Sequence, residues 1–204
     1  MPNNRFTTRL LDIIASPSFD EDEPYLFLVM DLMSADMIKF LDSSSDFDLK
    51  EVDVKQILYR LLCSLNYLHS ANIMHRDLKP ANILVGEDLS IKICDFGLAR
   101  AMIPKQTLIS DSSSRTSVAE ELKINLPDKK KRKRALSRHV ATRWYRSPEL
   151  VLLEKEYDGS ADVWSVGCIL QEMIFSSHSY RVFNKKKSKR ILFKADSCYP
   201  LSPS

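Results

Sequence analysis

The apolar residues Val54, Ile57, Leu58, Leu61, Leu62, Leu65 and Leu68 recur at intervals of three and four, and this stretch constrains the fold more than any other. Side chains at that spacing share one face of an α-helix, so the segment must lay a leucine-rich stripe against a core. Asp48 stands where an N-cap is expected. A second helix is predicted with Ser160 as its cap, running through Ala161, Val163, Trp164, Val166, Ile169, Leu170, Met173 and Ile174. It is apolar on most faces and should be buried.

Other segments read differently. Short β-compatible runs at 9–14 and 25–30 flank the acidic, proline-bearing stretch 20–24, which predicts two strands and a loop. Runs at 83–85 and 91–94 flank Gly86-Glu87-Asp88 and predict a hairpin with polar segments at both ends. From 101 to 136 periodicity fails while serines and charges accumulate, so a long mobile loop is expected. Residues 176–190 are polar and basic, and neither they nor the tail 197–204 carry the signal of a further helix.

With 204 residues and 44% hydrophobic content, the chain can bury a core in one or at most two small domains. Cys63, Cys94, Cys168 and Cys198 form no CxxC pair and have no histidine at metal-site spacing. A reduced intracellular protein without disulfides or zinc is expected. No apolar run reaches the length of a bilayer span, so no membrane partner is expected. Basic residues gather at 129–134 and 185–190, and the remainder of the chain is acidic. Either tract is readable as a localisation or acidic-partner element or as a solvated face. Neither interleaves aromatics, so no nucleic-acid partner is expected.

The chemistry concentrates in His75-Arg76-Asp77-Leu78-Lys79-Pro80-Ala81-Asn82, which follows the first helix, and in Asp95-Phe96-Gly97 at the end of the hairpin. Phosphoryl transfer from a nucleotide needs a carboxylate to orient the attacking hydroxyl, plus amide and carboxylate oxygens to hold Mg²⁺ against phosphates. Asp77, Asn82 and Asp95 are residues of those types.

These strings resemble the catalytic loop H-R-D-L-x-x-x-N and the D-F-G signature of the eukaryotic protein kinases. Ser147-Pro148-Glu149 and Asp162-Val163-Trp164-Ser165-Val166-Gly167 follow in the same order. The segment Val140-Ala141-Thr142-Arg143-Trp144-Tyr145-Arg146-Ser147-Pro148-Glu149 is similar to the V-A-T-R-W-Y-R-A-P-E segment of the mitogen-activated branch, and Leu32-Met33-Ser34-Ala35-Asp36 fits that branch.

The resemblance implies an α+β kinase fold: a small-lobe sheet remnant and hinge at 1–33, the helical large lobe at 34–175 with an inserted activation loop at 101–137, and a basic tail at 176–204. It implies a serine/threonine kinase using ATP and Mg²⁺ on protein substrates whose phosphoacceptor is followed by proline. An upstream kinase and a cytoplasmic or nuclear location are implied with it. Asp77 becomes the catalytic base, Lys79 the γ-phosphate contact, Asn82 and Asp95 the Mg²⁺ ligands, and Thr142 a brace for Asp77 and Lys79. Met30 becomes the gatekeeper, Asp31 and Met33 the backbone contacts to the purine, Asp36 the ribose contact and Leu84 the floor. Arg76 becomes the partner of an activation-loop phosphate. Apart from the resemblance, Lys92 is expected to be a solvated strand residue.

Three departures stand out. The four glycines, at 86, 97, 159 and 167, form no glycine-rich loop, and no V-A-I-K lysine or partner glutamate precedes His75, so the chain is expected to start after those elements and to turn over poorly alone. An impaired remnant acting as a protein-binding module is the alternative. Glu149 is expected to be buried without its arginine partner. Ser137-Arg138-His139 replaces the T-x-Y that usually precedes the Val140 segment, leaving Ser137 as the candidate phosphorylation site.

Overall fold

The structure is a computed structural model, and it describes residues 5–16, 25–102, 143–152, 157–183 and 190–194. Strands β1 (Leu10–Ser16) and β2 (Tyr25–Met30) pair antiparallel, Ser16 opposite Tyr25 and Leu10 opposite Met30, with an irregularity between Leu10 and Asp12. Every residue of β2 is exposed. Strand β3 (Ala35–Asp36) runs into helix α1 (Met37–Asp42), whose first turn is capped by Asp36 Oδ1 accepting from the Lys39 amide at 2.9 Å.

Helix α2 (Glu51–Ser70) matches the expected leucine stripe. Val54, Ile57, Leu61, Leu65 and Leu68 are buried and Leu58 packs against them, whereas Leu62 faces outward. Each buried aliphatic of this kind contributes about 1.5–3 kcal/mol. The expected cap is corrected: Lys50 is the N-cap residue, its amide donates to Asp53 at 2.9 Å, and Asp48 pairs instead with the His178 ring. Glu51 and Asp53 place negative charge where the helix dipole favours it. Asn72, with φ 56°, takes the left-handed conformation just beyond the helix end.

Strand β4 (Ile73–Met74) pairs with β7 (Arg100–Ala101). Strands β5 (Ile83–Val85) and β6 (Ile91–Ile93) form the expected hairpin, and β3 joins on the far side of β5. A Cβ on Gly86 would meet the Ser90 hydroxyl and the Asp88 carboxylate, so a side chain there would force both to move. Thr7 bridges Ile93 in parallel, with the Ile93 amide donating to the Phe6 carbonyl at 2.9 Å.

Helix α3 (Pro148–Val151) is short, and α4 (Ser160–Ser176) packs on α2. Ser160 is its first residue and not its cap: Gly159 holds the cap position, and Asp158 Oδ1 accepts the Ser160 amide at 2.9 Å. Ala161, Val166, Ile169 and Met173 are buried, but Val163, Trp164 and Ile174 are exposed, so α4 is less enclosed than its composition suggests. Helix α5 (His178–Phe183) corrects the expectation of no further helix. Tertiary contacts hold it: the His178 amide donates to the Leu49 carbonyl, Arg181 reaches the Ser44 carbonyl, and Tyr180 stacks on Phe175. Glu149 is half-buried and not enclosed as expected. The core joins α1, α2, β5, β6 and α4 through Met37, Leu41, Ile57, Leu61, Ile83, Ile93, Ile169 and Met173.

Candidate functional site

The loop between β4 and β5 is held by one carboxylate from α4. Asp162 is 1% exposed and accepts the amides of His75 (Oδ2, 2.9 Å) and Arg76 (Oδ1, 2.7 Å) and meets His69 Nε2 at 2.9 Å. Burial pushes its carboxyl up, but the hydrogen bonds from His69, Arg76 and His75 outweigh this and hold it below the usual aspartate range. Gly159 makes room for the ring, since a Cβ there would stand 2.7 Å from His69.

His75 is fully buried. Its Nε2 lies 2.9 Å from the Cys94 carbonyl, which can only accept, so Nε2 carries the proton and Nδ1 accepts the Asp77 amide at 3.4 Å. The ring meets Phe96 edge-on. Arg76 takes φ 70° and Asp95 φ 61°. Neither is glycine, so each left-handed residue costs about 1–3 kcal/mol and persists because its surroundings over-determine it.

Asp77 is 7% exposed, and each of its two carboxylate oxygens is held by a different cation. Lys79 Nζ lies 2.7 Å from Oδ2, while Arg146 approaches Oδ1 with Nη2 at 2.9 Å and Nε at 3.2 Å. The carboxylate plane is therefore fixed by two cations. Asn82 Nδ2 donates to the Asp77 carbonyl at 2.9 Å, and the Asn82 carbonyl accepts the Cys94 amide at 3.0 Å. Asn82 thus stitches the loop carrying Asp77 to the strand end that presents Asp95. Asp95 is exposed and accepts the Gly97 amide at 3.3 Å. Burial first, then the charges of Asp95 and Asp36, push the Cys94 thiol up.

Of the residues expected to meet a purine, Met30 ends β2, Asp31 and Met33 lie between β2 and β3, Asp36 ends β3 and Leu84 is in β5. Asp36 stands directly opposite Leu84, and Leu84 opposite Lys92, so the three share a row across the sheet. Met30 is exposed at the end of β2 and Met33 is half-buried. Lys92 is not a solvated strand residue: its ammonium lies 2.5 Å from Asp31 Oδ2, with only 17% of its side chain exposed. Asp31 also takes Arg9 through Nη2 at 3.0 Å and Nε at 3.2 Å. Hydrogen bonds from Arg9 first and Lys92 next hold its carboxyl well below the usual range. Arg76 donates to the Leu98 carbonyl at 3.2 Å and sits over the Tyr157 ring, while its Nε is buried without a partner among the described residues. Thr142 and Ser137 lie outside the described residues.

Arg146, Asp162, His69 and Lys92 make contacts in or beside this cluster that the sequence does not foretell. Asp162 and Arg146 sit inside recognised strings, but what each binds lies 69 or more residues away in the chain. No helix among the described residues is long and apolar enough to cross a membrane.

A model of the protein kinase domain matches residues 7–199. Mitogen-activated protein kinase 2 of Pneumocystis carinii is 37% identical over 172 residues, covering 84% of this chain and 41% of the relative. Mitogen-activated protein kinase MKC1 of Candida albicans is 38% identical over 172 residues, covering 84% of this chain and 29% of the relative. Mitogen-activated protein kinase HOG1 of Wallemia sebi is 36% identical over 165 residues, covering 81% and 46%. The chain spans less than half the length of these relatives. A loop carboxylate pinned by two cations, an amide bridging it to a second carboxylate segment, and a family match over nearly all of the sequence converge: the chain belongs to the protein kinase family, with mitogen-activated protein kinases among its relatives.

Proposed function

We propose that this chain carries the phosphoryl-transfer core of a mitogen-activated-type serine/threonine kinase, which moves the γ-phosphate of ATP to Ser or Thr, followed by Pro, in protein substrates. The observation that carries this reading is the buried Asp77 carboxylate, oriented by Lys79 and Arg146 and tied through its own carbonyl to Asn82. A carboxylate so held can accept a hydrogen bond from a substrate hydroxyl in one fixed direction and take its proton as the bond to phosphorus forms. Lys79, which pairs with Asp77, would bring positive charge to a transferring phosphate.

The donor set suits Mg²⁺. Asn82 spends its Nδ2 on the Asp77 carbonyl, which leaves Oδ1 to accept, and Asp95 presents an exposed carboxylate. One amide and one carboxylate oxygen suit an ion that fills its shell with phosphates and water. Bound there, Mg²⁺ would supply charge neutralisation at the phosphates. Asp36, Leu84, Met33, Asp31 and Met30 are assigned to the purine and ribose, Thr142 to bracing Asp77 and Lys79, and Arg76 to a phosphate on Ser137 placed there by an upstream kinase. The division at 1–33, 34–175 and 176–204 belongs to the same reading.

Transfer of radiolabelled phosphate from ATP to a basic peptide carrying a Ser-Pro or Thr-Pro site, compared between wild type and Asp77→Asn, tests the proposal. Transfer by wild type that Asp77→Asn abolishes is expected. Equal background in both would leave only a protein-binding role.

A further inference from the structure

Glu172 is a buried carboxylate that the phosphoryl-transfer chemistry does not use. It lies on α4, 2% exposed, and its two oxygens have different partners. Oε1 accepts the Tyr145 hydroxyl at 2.5 Å, and Oε2 meets Arg190 Nε at 3.2 Å. The same guanidinium reaches Asp42 Oδ1 at 2.7 Å with Nη2, so Arg190 spans the end of α1 and the C-terminal half of α4. The planar guanidinium offers several donors in a fixed arrangement, so one side chain serves two carboxylates on separate elements. Burial raises the carboxyl of Glu172 and the phenol of Tyr145 above their ordinary values.

The residues after Arg190 continue the attachment. Phe193 stacks on Trp164 with centroids 5.5 Å apart, and the Lys194 ammonium lies 5.6 Å from the Trp144 ring. Trp144 and Tyr145 immediately precede Arg146, whose fork holds Asp77. Ser165 secures the same segment from below by donating to the Tyr145 carbonyl at 2.7 Å. From 190–194, Lys194 reaches Trp144 directly, Arg190 reaches Tyr145 through Glu172, and Phe193 packs on α4 at Trp164, so two of the three contacts lead to the segment 144–146, whose Arg146 holds Asp77.

We propose that Arg190 is a positioning residue for the reaction: through Glu172 and the Tyr145 hydroxyl it fixes the 144–146 segment, and through Arg146 it sets the orientation of Asp77. The catalytic part of this statement rests on the kinase reading, while the brace itself does not. Removing Arg190 leaves Glu172 buried with one neutral partner, and a buried carboxylate stripped of its cation is costly to keep in place. The Tyr145 link then slackens, and Arg146 is no longer delivered to Asp77 at one distance. Displacements of about an ångström at a reacting group cost up to about a hundredfold in rate.

The chain has two tryptophans, and both lie against the brace, so its integrity can be read optically. Arg190→Ala in the full chain is expected to red-shift tryptophan emission and to speed amide exchange at 143–147 more than in α2. It should also lower kcat about tenfold with the KM for ATP unchanged. Arg190→Lys, which keeps the charge but loses the fork, should recover part of each effect. If Arg190→Ala does not fold, Tyr145→Phe removes only the connecting hydroxyl and should reproduce the loss of kcat. Unchanged emission and unchanged exchange at 143–147 in folded Arg190→Ala, or a Tyr145→Phe variant with wild-type kcat, would overturn the proposal. A wild-type chain that transfers no phosphate would instead defeat the kinase reading, and the emission and exchange measurements would still decide the brace.

Discussion

Ser147 is 1% exposed, and its hydroxyl has no hydrogen-bond partner among the described residues. It occupies the N-cap position of α3, but its side chain makes no cap bond there, so Ser147→Ala forfeits no cap. What the substitution removes is an unsatisfied buried hydroxyl, which costs about 1–3 kcal/mol. What it leaves is a void of about one oxygen atom, roughly 15 Å³, worth about 0.4 kcal/mol against the variant at about 24 cal/mol per Å³. The balance is a stabilisation of about 0.6–2.6 kcal/mol. At about 2–4 °C per kcal/mol for a chain of this size, Tm should rise by about 1–10 °C. Urea unfolding followed by far-UV circular dichroism, with the slope against denaturant compared between variants, separates a true stability gain from a changed unfolded state. A Ser147→Ala variant that unfolds at lower urea with an unchanged slope would refute the reasoning, because it would show that the hydroxyl has a partner. The related kinase segment, V-A-T-R-W-Y-R-A-P-E, already carries alanine at this position.

Four further outcomes follow from the contacts described. Asp162→Asn should lower stability by about 3 kcal/mol, since an amide cannot accept from His69, His75 and Arg76 with both of its heteroatoms; urea titration of the variant measures it. Because the Asp162 carboxyl is held below its unfolded value, its stabilisation is complete above about pH 4 and is lost as pH falls through the lowered value, so unfolding curves from pH 5 to 2 should fall less steeply in Asp162→Asn than in wild type. Gly159→Ala should cost about 1–3 kcal/mol by driving a methyl into the His69 ring, which Asp162 holds in place, and should shift the His69 ring resonances in NMR spectra. Lys92→Met should release Asp31 from one of its two cations and speed amide exchange along 25–33, with weaker binding of a fluorescent adenine nucleotide; unchanged exchange would show that the ion pair does not fix the segment.

Local patterns are legible in the amino-acid chain itself. The stripe from Val54 to Leu68 predicts α2 because helical period and burial coincide there, and the strands at 83–85 and 91–93 are marked by apolar runs around a glycine turn. The strings around Asp77 and Asp95 point to the family, which the match over 7–199 shows. Pairings across long separations are not legible. Lys92 looks like an ordinary alternating strand residue, and only the fold brings Asp31 to it from 61 positions away. Nothing local marks Arg190 as the partner of Glu172, and α5 is polar enough to read as coil until Leu49, Ser44 and Phe175 supply its contacts. The helix caps fall one or two residues from their expected places because Asp53 acts from within the first turn, and Asp158 from just before Gly159.

The dependence of Arg76 and His75 on Asp162 has a consequence for how the chain reaches its native state. The left-handed turn at Arg76 is disfavoured by itself, and the carboxylate that secures it lies 86 residues further along. Closing a loop of that length costs about 4 kcal/mol of chain entropy, so the turn cannot be held until α4 has docked on α2. Helix α2 can form early from its own neighbours. The Arg76 turn is thus completed by a distant element, whereas the Lys79 and Asn82 contacts of Asp77 come from its own loop.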